Sequence, residues 1–332
     1  MVWEDKPEAV EETLRQYLPV LEEVPDRYLP AAEASAPAHT LIEGDNLHAL
    51  TVLSYTHAAQ VDVIYIDPPY NTGNRDFIYN DRFVDREDGY RHSKWLSFMA
   101  KRLKLAKTLL QETGVIFISI DDNEQAQLKL LCDEVFGEEN FVANVIWQKN
   151  YSPKSTAKHL SVDQDYIFIY AKNSDIWRPN LMPRSEKQDK AYKNPDNDDR
   201  GAWKPGDLSA RNYYSKGTYS ITCPSGRVIP GPPQGTYWRV SEEKFQELDK
   251  DNQIWWGVTG NNVPAVKRFL NKVKQGMVPQ TLWFYTEVGH TQDAKKEVVS
   301  ILGGEDGEEV FSTPKPLRLM QRILELSTSK DS

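Results

Sequence analysis

The chain is 332 residues long and carries a formal net charge of −9, with 40 Lys and Arg against 49 Asp and Glu. This length can form one large domain with insertions or two ordinary domains, with a core large enough to bury a ligand cleft. No apolar run reaches the length of about 18 residues needed to cross a membrane, and the sequence after Met1 lacks a signal-peptide pattern. We therefore expect an enzyme-sized cytoplasmic protein that does not contact a membrane.

The spacing of cysteines and histidines excludes the common disulfide and metal frameworks. Cys132 and Cys223 are far apart and form no CxxC pair, so we expect two ordinary buried thiols. The six histidines are scattered without the spacing of metal ligands, which favours structural roles. The sequence therefore predicts no metal centre.

Charge is unevenly distributed along the chain. Residues 148–280 carry 21 Lys and Arg against 14 Asp and Glu, a balance of +7, so the rest of the chain carries −16. Contacts with nucleic-acid phosphates need Lys and Arg, which makes this middle segment the candidate DNA surface. From charge alone, an ordinary solvated face rich in lysine fits equally well.

The first half of the chain alternates between strand and helix patterns. Residues 1–38 predict a helical arm and a linker rich in Pro and Ala. A short strand is predicted over residues 41–43, then a helix from Asn46. A continuous apolar run over residues 61–66 predicts a buried strand.

The alternation continues beyond this strand. A helix over residues 93–111, with Gly114 as its C-cap, precedes a strand over residues 115–120. Asp122 is the expected N-cap of the next helix. Two further strands are predicted over residues 142–147 and 166–170. Repeated alternation predicts an α/β fold with a doubly wound, largely parallel, Rossmann-like sheet.

The periodicity lapses in the middle of the chain. Residues 172–280 are rich in Asn, Asp, Gly, Pro, Trp and Tyr, and only residues 241–248 predict a helix. We interpret 172–280 as a module inserted into a catalytic core that spans 39–171. Residues 281–332 return to the core and end in an amphipathic helix with Leu319, Ile323 and Leu326 on one face.

The tetrapeptide Asp67-Pro68-Pro69-Tyr70 directly follows the buried strand. In open α/β sheets, ligands bind beyond the carboxyl ends of the strands. Two prolines remove two N–H donors, leaving carbonyl oxygens and the Asp67 carboxylate as acceptors for an exocyclic amine. Tyr70 offers an aromatic face on which an extruded base can stack. A simple turn after a strand is the alternative interpretation.

The tetrapeptide is part of a much longer pattern. From about Thr40 to its end, the sequence resembles the adenine-N6 methyltransferase (modification) subunits of type III restriction-modification systems. The segments that carry this resemblance are residues 41–50, 64–74, 77–83, 95–99, 114–124 and 311–316.

The resemblance implies methyl transfer from S-adenosylmethionine to adenine N6 in duplex DNA, with the base flipped onto the Asp67-Pro68-Pro69-Tyr70 loop. Asp67 and the Pro68 carbonyl would hold the amine so that its lone pair is directed at the methyl group. Aspartate at the first position resembles the adenine enzymes, whereas serine there would favour cytosine N4. The family also implies a homodimer and a restriction subunit with helicase and nuclease functions as partners.

The resemblance and the residues themselves together indicate three candidate sites. Cofactor contacts are implied at Asp45, Asp67, Lys315 and Pro316, although Asp45 equally fits an N-cap and the prolines around Lys315 equally fit the start of a helix. The implied substrate loop comprises Asn71, Thr72, Gly73 and Asn74, which extend the catalytic loop with small polar groups suited to closing over a flipped base. Cations that can contact DNA phosphates are Lys154, Lys158, Arg211, Arg227, Arg239, Lys267 and Arg268. Aromatic residues that can stack with bases are Tyr213, Tyr214, Tyr237 and Trp238.

The sequence departs from the family near its end. The family carries a glycine-rich loop of the type Phe-x-Gly-x-Gly after its last helix, and this chain stops before such a motif. We therefore expect the strand of the glycine-rich loop to be missing, and the chain alone to bind cofactor weakly and transfer little methyl. A further polypeptide would then supply the segment; a catalytically incompetent DNA-binding fragment is the alternative.

Overall fold

A computed structural model describes residues 19–29, 38–73, 77–79, 82–184, 186–273, 276–303 and 313–329. These residues form two compact units. One contains the described residues up to Asn180 and from Val278 onward, and the other is Leu181–Met277. None of the described helices is long and apolar enough to cross a membrane.

The strands are β1 (Val61–Ile66), β2 (Ile78–Tyr79), β3 (Arg82–Phe83), β4 (Leu110–Ile120), β5 (Phe141–Gln148), β6 (Gln164–Ala171), β7 (Trp203–Asp207), β8 (Ser209–Ala210), β9 (Ile221–Thr222), β10 (Val228–Ile229), β11 (Tyr237–Trp238), β12 (Ile254–Trp255), β13 (Ala265–Phe269) and β14 (Leu282–Trp283). The helices are α1 (Asn46–Thr56), α2 (Arg91–Leu109), α3 (Gln125–Phe136), α4 (Glu186–Asp189), α5 (Glu242–Lys250), α6 (Tyr285–Val288), α7 (Thr291–Leu302) and α8 (Leu317–Ser327).

The first unit is organised around a five-stranded sheet in the order β1-β4-β6-β5-β14. β1 pairs with β4 and β5 pairs with β14 in parallel, whereas β6 is antiparallel to both of its neighbours. Four strands therefore run in one direction and one runs against them. This arrangement confirms the predicted Rossmann-like α/β class and a largely parallel sheet.

The sheet forms because its central strands are apolar on both faces. In β4, Ile116, Ile118 and Ile120 pack with residues of α2 and α3, while Val115 and Phe117 on the opposite face are also fully buried. A strand buried on both sides has a continuous apolar sequence. Each such side chain contributes roughly 1.5–3 kcal/mol by burial.

Three expectations about local structure are wrong. Residues 41–43 form no strand, because no described strand pairs with them and Leu41 is 93% exposed. Gly114 is not a helix cap but lies inside β4, where an added Cβ would come within 2.8 Å of the Val61 carbonyl oxygen. Asp122 is not the N-cap of α3. That position is Glu124, because the preceding residues form a turn in which Asp121 accepts a hydrogen bond from the Asn123 N–H.

The second unit consists of short antiparallel elements. β12, β13 and β7 form a three-stranded sheet, and β8 pairs with β11 and β9 with β10. The predicted helix is α5, whose N-cap Ser241 accepts a hydrogen bond from the Lys244 N–H. Strands of two residues are too short to show a period in the sequence, which explains why periodicity lapses in this part of the chain.

Candidate active site

The loop of residues 67–70 leaves the carboxyl end of β1 at the edge of the five-stranded sheet. Its Asp67 Oδ2 accepts a hydrogen bond from Lys315 Nζ at 2.5 Å, although the two residues are far apart in sequence. Lys315 Nζ also lies 5.3 Å from the centre of the Tyr70 ring, within range of a cation–π interaction. The structure therefore brings together three of the residues singled out in the sequence.

The buried Trp95 forms a hydrogen bond with the backbone of the loop of residues 67–70. Trp95 lies on α2 with its side chain fully buried, and its Nε1 donates a hydrogen bond of 2.7 Å to the Pro69 carbonyl. The sequence indicates only that Trp95 is on the apolar face of a helix. A buried indole N–H usually donates a hydrogen bond to an acceptor. That general requirement is the only indication in the sequence that Trp95 would bind a carbonyl such as that of Pro69.

Asn71 is an anchor of the loop rather than a mobile lid over the substrate. It is 1% exposed and has a positive φ of 56°. Its Nδ2 donates to Glu124 Oε1 at 2.5 Å and to the Arg91 carbonyl at 3.3 Å. Burial raises the pKa of Glu124, while Asn71 and His92 oppose this shift. The expectation that Asn71 closes over a base is corrected, because the side chain is buried in the interior and its Nδ2 is bound there.

The remaining residues of the implied substrate loop are described in part. Thr72 and Gly73 are half-buried, and Gly73 has φ of 79° in the left-handed region. A Cβ added to Gly73 would come within 2.6 Å of Arg86 Cβ, so this position needs glycine. Asn74 lies outside the described residues.

A buried carboxylate adds charge to the same edge of the sheet. Asp165 is at the start of β6, and because β6 is antiparallel, its start lies beside the carboxyl ends of β4 and β5. Lys149 Nζ contacts Asp165 Oδ1 at 2.5 Å. Burial raises the pKa of Asp165 to about 6, and the positive charges of Lys149 and Lys315 oppose the shift. Sequence reasoning missed Asp165, and the signal was an acid inside an otherwise apolar strand.

The hydroxyl groups of Tyr65 and Tyr70 are buried at the same edge of the sheet. Burial, followed by the charge of Asp67, raises the pKa of both Tyr65 and Tyr70 above the ordinary tyrosine range. Tyr65 shares a hydrogen bond of 2.8 Å with Ser119 Oγ. The Tyr70 hydroxyl is buried and has no hydrogen-bond partner among the described residues.

Asp45 acts in this structure as a helix cap. Its Oδ1 accepts a hydrogen bond from the Leu47 N–H at 2.7 Å at the start of α1, and Arg102 Nη2 lies 3.6 Å away. No contact described in the structure joins Asp45 to Asp67. Pro316 is the N-cap residue of α8, next to Lys315.

The candidate DNA-binding residues have different environments. Lys154, Lys158, Arg211 and Arg268 are exposed. Arg227 and Arg239 each donate a hydrogen bond to a backbone carbonyl within the second unit, at 3.0 and 3.2 Å. Arg239 also lines a pocket of about 410 Å³ with Asn212 and three tyrosines, Tyr213, Tyr214 and Tyr237.

Two of the candidate DNA contacts are wrong. Lys267 is buried and pairs with Asp196 and, at 2.9 Å, with Asp198 Oδ2, so it cannot reach a phosphate. Trp238 is fully buried and donates its Nε1–H to the Tyr219 carbonyl, so it offers no stacking face. Among the residues that the structure describes, no group of three His, Cys, Asp or Glu side chains could hold a metal ion.

Comparison with known proteins identifies the family to which the chain belongs. The family model of the N6 and N4 DNA methylases matches residues 61–332. The chain belongs to the DNA methylase family. The chain is 36% identical to the StyLTI Mod subunit, a type III restriction-modification enzyme of Salmonella typhimurium, over 93% of this chain and 49% of that subunit. It is 32% identical to the type II methyltransferase M.KpnI of Klebsiella pneumoniae, over 87% of this chain and 71% of M.KpnI.

The chain spans about half the length of the type III Mod subunits that it matches, 49% of StyLTI Mod and 52% of the EcoPI Mod subunit of Escherichia phage P1. Among solved structures, it aligns with the M1.HpyAVI–SAM complex at 18% identity and a TM-score of 0.29, over 44% of this chain and 60% of the other. Likeness at this level supports no conclusion about the site.

Proposed function

We propose that this DNA methylase transfers a methyl group from S-adenosylmethionine to adenine N6 in duplex DNA, with the adenine flipped onto residues 67–70. The observation that carries the proposal is the position of Asp67, at the carboxyl end of β1 and fixed by Lys315. Relatives named as type III Mod subunits support the same activity.

In the proposed mechanism, the loop orients a poor nucleophile. The Pro69 carbonyl is occupied by Trp95, so the amine is assigned to the Asp67 carboxylate and the Pro68 carbonyl. Hydrogen bonds to both acceptors draw N6 toward tetrahedral geometry and direct its lone pair, which is catalysis by positioning and preorganised charge. Lys315 holds the Asp67 carboxylate in place through Oδ2.

The residues at this edge fit S-adenosylmethionine, which supplies a methyl group on a positively charged sulfur. Asp67 and the buried Asp165 provide negative charge opposite that sulfonium group. We assign cofactor binding to Asp45, Asp67, Lys315 and Pro316. The Asp45 side chain is 53% exposed, so it can contact the cofactor while it caps α1.

DNA contact is assigned mainly to the second unit. Residues 181–277 contain 16 Lys and Arg against 11 Asp and Glu. Exposed Arg211 and Arg268 are available for phosphates, and the pocket beside Arg239 presents tyrosine rings. By family resemblance, we also propose a homodimer, a restriction subunit as partner, and the cytoplasm as the place of action.

The decisive experiment replaces Asp67 by alanine. Labelled S-adenosylmethionine and duplex DNA are incubated with the wild type or with Asp67→Ala, each supplied with a polypeptide that carries the family's glycine-rich segment, and duplex affinity is measured in parallel. We expect transfer to be abolished and affinity to be retained, because Asp67 orients the amine and repels phosphates. Methyl transfer at a near-normal rate by Asp67→Ala would show that the Asp67 carboxylate is not needed for the reaction.

A further inference from the structure

The buried acid Glu124 contacts Asn71, the residue that follows the candidate catalytic loop of residues 67–70. The Glu124 side chain is fully buried, and its Oε1 faces Asn71 Nδ2 at 2.5 Å and His92 Nδ1 at 2.7 Å. Its other oxygen, Oε2, has no hydrogen-bond partner in the described part of the chain, and neither has Asn71 Oδ1. A buried oxygen without a donor costs about 1–3 kcal/mol, so two of them in one contact need a physical explanation.

The orientation of the Asn71 amide is fixed by its neighbours. Nδ2 faces two acceptors, Glu124 Oε1 and the Arg91 carbonyl at 3.3 Å. Exchanging the nitrogen and oxygen would place Oδ1 against both acceptors, so the amide cannot be flipped. Asn71 Oδ1 therefore needs a donor. An ionised carboxylate has none to offer, so a charged Glu124 would leave both oxygens unsatisfied.

We propose that Glu124 is a neutral carboxylic acid whose proton on Oε2 is donated to Asn71 Oδ1, and that this acid–amide pair positions the catalytic loop. One proton then satisfies both orphaned oxygens, and the two groups share a ring of two hydrogen bonds. The pair holds Asn71 at φ of 56°, a conformation that costs a non-glycine residue roughly 1–3 kcal/mol. The inference rests on the proposed function, in which Glu124 is a positioning residue and touches no substrate.

The groups that act on Glu124 decide between this pair and an ion pair. Burial is the largest influence and raises the pKa of Glu124, whereas Asn71 on the loop and His92 and Arg91 on α2 lower it. The rival arrangement is a charged pair with His92, whose side chain is 38% exposed. It would leave a buried charged oxygen without a donor, which is more costly than leaving a neutral one.

The two arrangements predict opposite dependence of stability on pH. A carboxyl group with a raised pKa in the folded protein contributes fully in acid, and the contribution is lost as pH rises through that pKa. Glu124→Gln keeps one donor and one acceptor of the same shape and does not titrate. The neutral acid therefore predicts that the wild type loses stability relative to Glu124→Gln as pH rises. An ion pair predicts that the wild type gains stability relative to the variant as pH rises toward the ordinary glutamate pKa, and that it is the more stable protein above that pKa.

The test is thermal unfolding from acid to mildly alkaline pH for the wild type, Glu124→Gln and Glu124→Ala, with Glu138→Gln as a control at an exposed glutamate. We expect Glu124→Gln to match the wild type in acid and to exceed it in alkali, Glu124→Ala to be less stable throughout, and the control to follow the wild type. A Glu124→Gln variant that falls behind the wild type as pH rises would overturn the proposal.

Methyl transfer and carbon NMR provide independent readouts. The wild-type rate should fall at alkaline pH, the rate of Glu124→Gln should not, and Glu124→Ala should be about 10- to 100-fold slower throughout. If Glu124→Gln does not fold, the Glu124 carboxyl carbon of the wild type is titrated instead. Titration above the exposed glutamates supports the neutral acid, and titration with or below them contradicts it. Asp67→Ala separates the two proposals, because it should abolish transfer without changing the pH dependence of stability.

Discussion

Lys267 and Arg268 are adjacent cations in β13, and only one of them faces solvent. Side chains alternate across a strand, so Lys267 points inward to Asp196 and Asp198 while Arg268 points outward. Hydrogen bonds from Arg200, together with Lys267, hold the pKa of Asp198 well below its ordinary range. A carboxyl group with a lowered pKa contributes stability at neutral pH that is lost as pH falls. Composition alone could not separate the two cations, because the acids that pair with Lys267 are distant in sequence.

This difference predicts separate effects for the two substitutions. Lys267→Met should lower the free energy of unfolding by about 1–3 kcal/mol, because it removes one buried charged donor from Asp198, which keeps Arg200, and from Asp196, which keeps Trp203. Arg268→Met should change stability by only about 0.5 kcal/mol but weaken duplex binding. Chemical denaturation and duplex titration of both variants check this. The assignment fails if Lys267→Met is as stable as the wild type and loses the same DNA affinity as Arg268→Met.

Elements with a long, regular pattern were predictable from the sequence. The apolar spacing of α2 and α8, and the apolar runs of β5 and β6, are visible in the sequence because each element is at least eight residues long and keeps one pattern throughout. The prediction of a strand over residues 41–43 was wrong because a strand forms only where it pairs with another strand, whatever its composition. The loop at Asp67 was predictable from its motif, but the contacts that hold it, from Trp95 and Lys315, come from tertiary packing.

Trp95→Phe tests the link between α2 and the loop. The phenyl ring keeps most of the buried area but leaves the Pro69 carbonyl without its donor, which should cost about 1–3 kcal/mol of stability. Trp147→Phe is a matched control, since Trp147 is also buried and donates to a carbonyl, that of Gly289 at 3.0 Å. Thermal unfolding should show similar losses for both variants. Only Trp95→Phe should lower kcat for methyl transfer, and equal kcat for the two would contradict the link.

At the scale of the whole molecule, charge and function are divided between the two units. The chain as a whole is acidic at −9, yet the second unit has an excess of Lys and Arg. The proposed chemistry lies in the first unit, where Asp67 and Asp165 are at the edge of the sheet. The total net charge therefore does not exclude a DNA-binding protein, because phosphate contacts depend on local charge.

Duplex binding should depend steeply on salt and on cations of the second unit. Each phosphate contact adds about 0.9 to the slope of log affinity against log salt, so replacing Arg211 and Arg268 by glutamine should reduce the slope by about 2. Arg27→Gln is the control, because Arg27 is exposed in the first unit and already pairs with Glu43. Titrations over a range of salt concentrations check this. An unchanged slope in the double variant would contradict the assignment of DNA binding to the second unit.

The central claim is adenine-N6 methylation directed by Asp67. The most direct measurement is mass spectrometry of nucleosides from duplex DNA incubated with S-adenosylmethionine and either the wild type or Asp67→Ala, each supplied with a polypeptide that carries the family's glycine-rich segment. The account predicts N6-methyladenine with the wild type, no N4-methylcytosine, and no methylated base with the variant. N4-methylcytosine as the wild-type product, or N6-methyladenine at an undiminished level with Asp67→Ala, would contradict it.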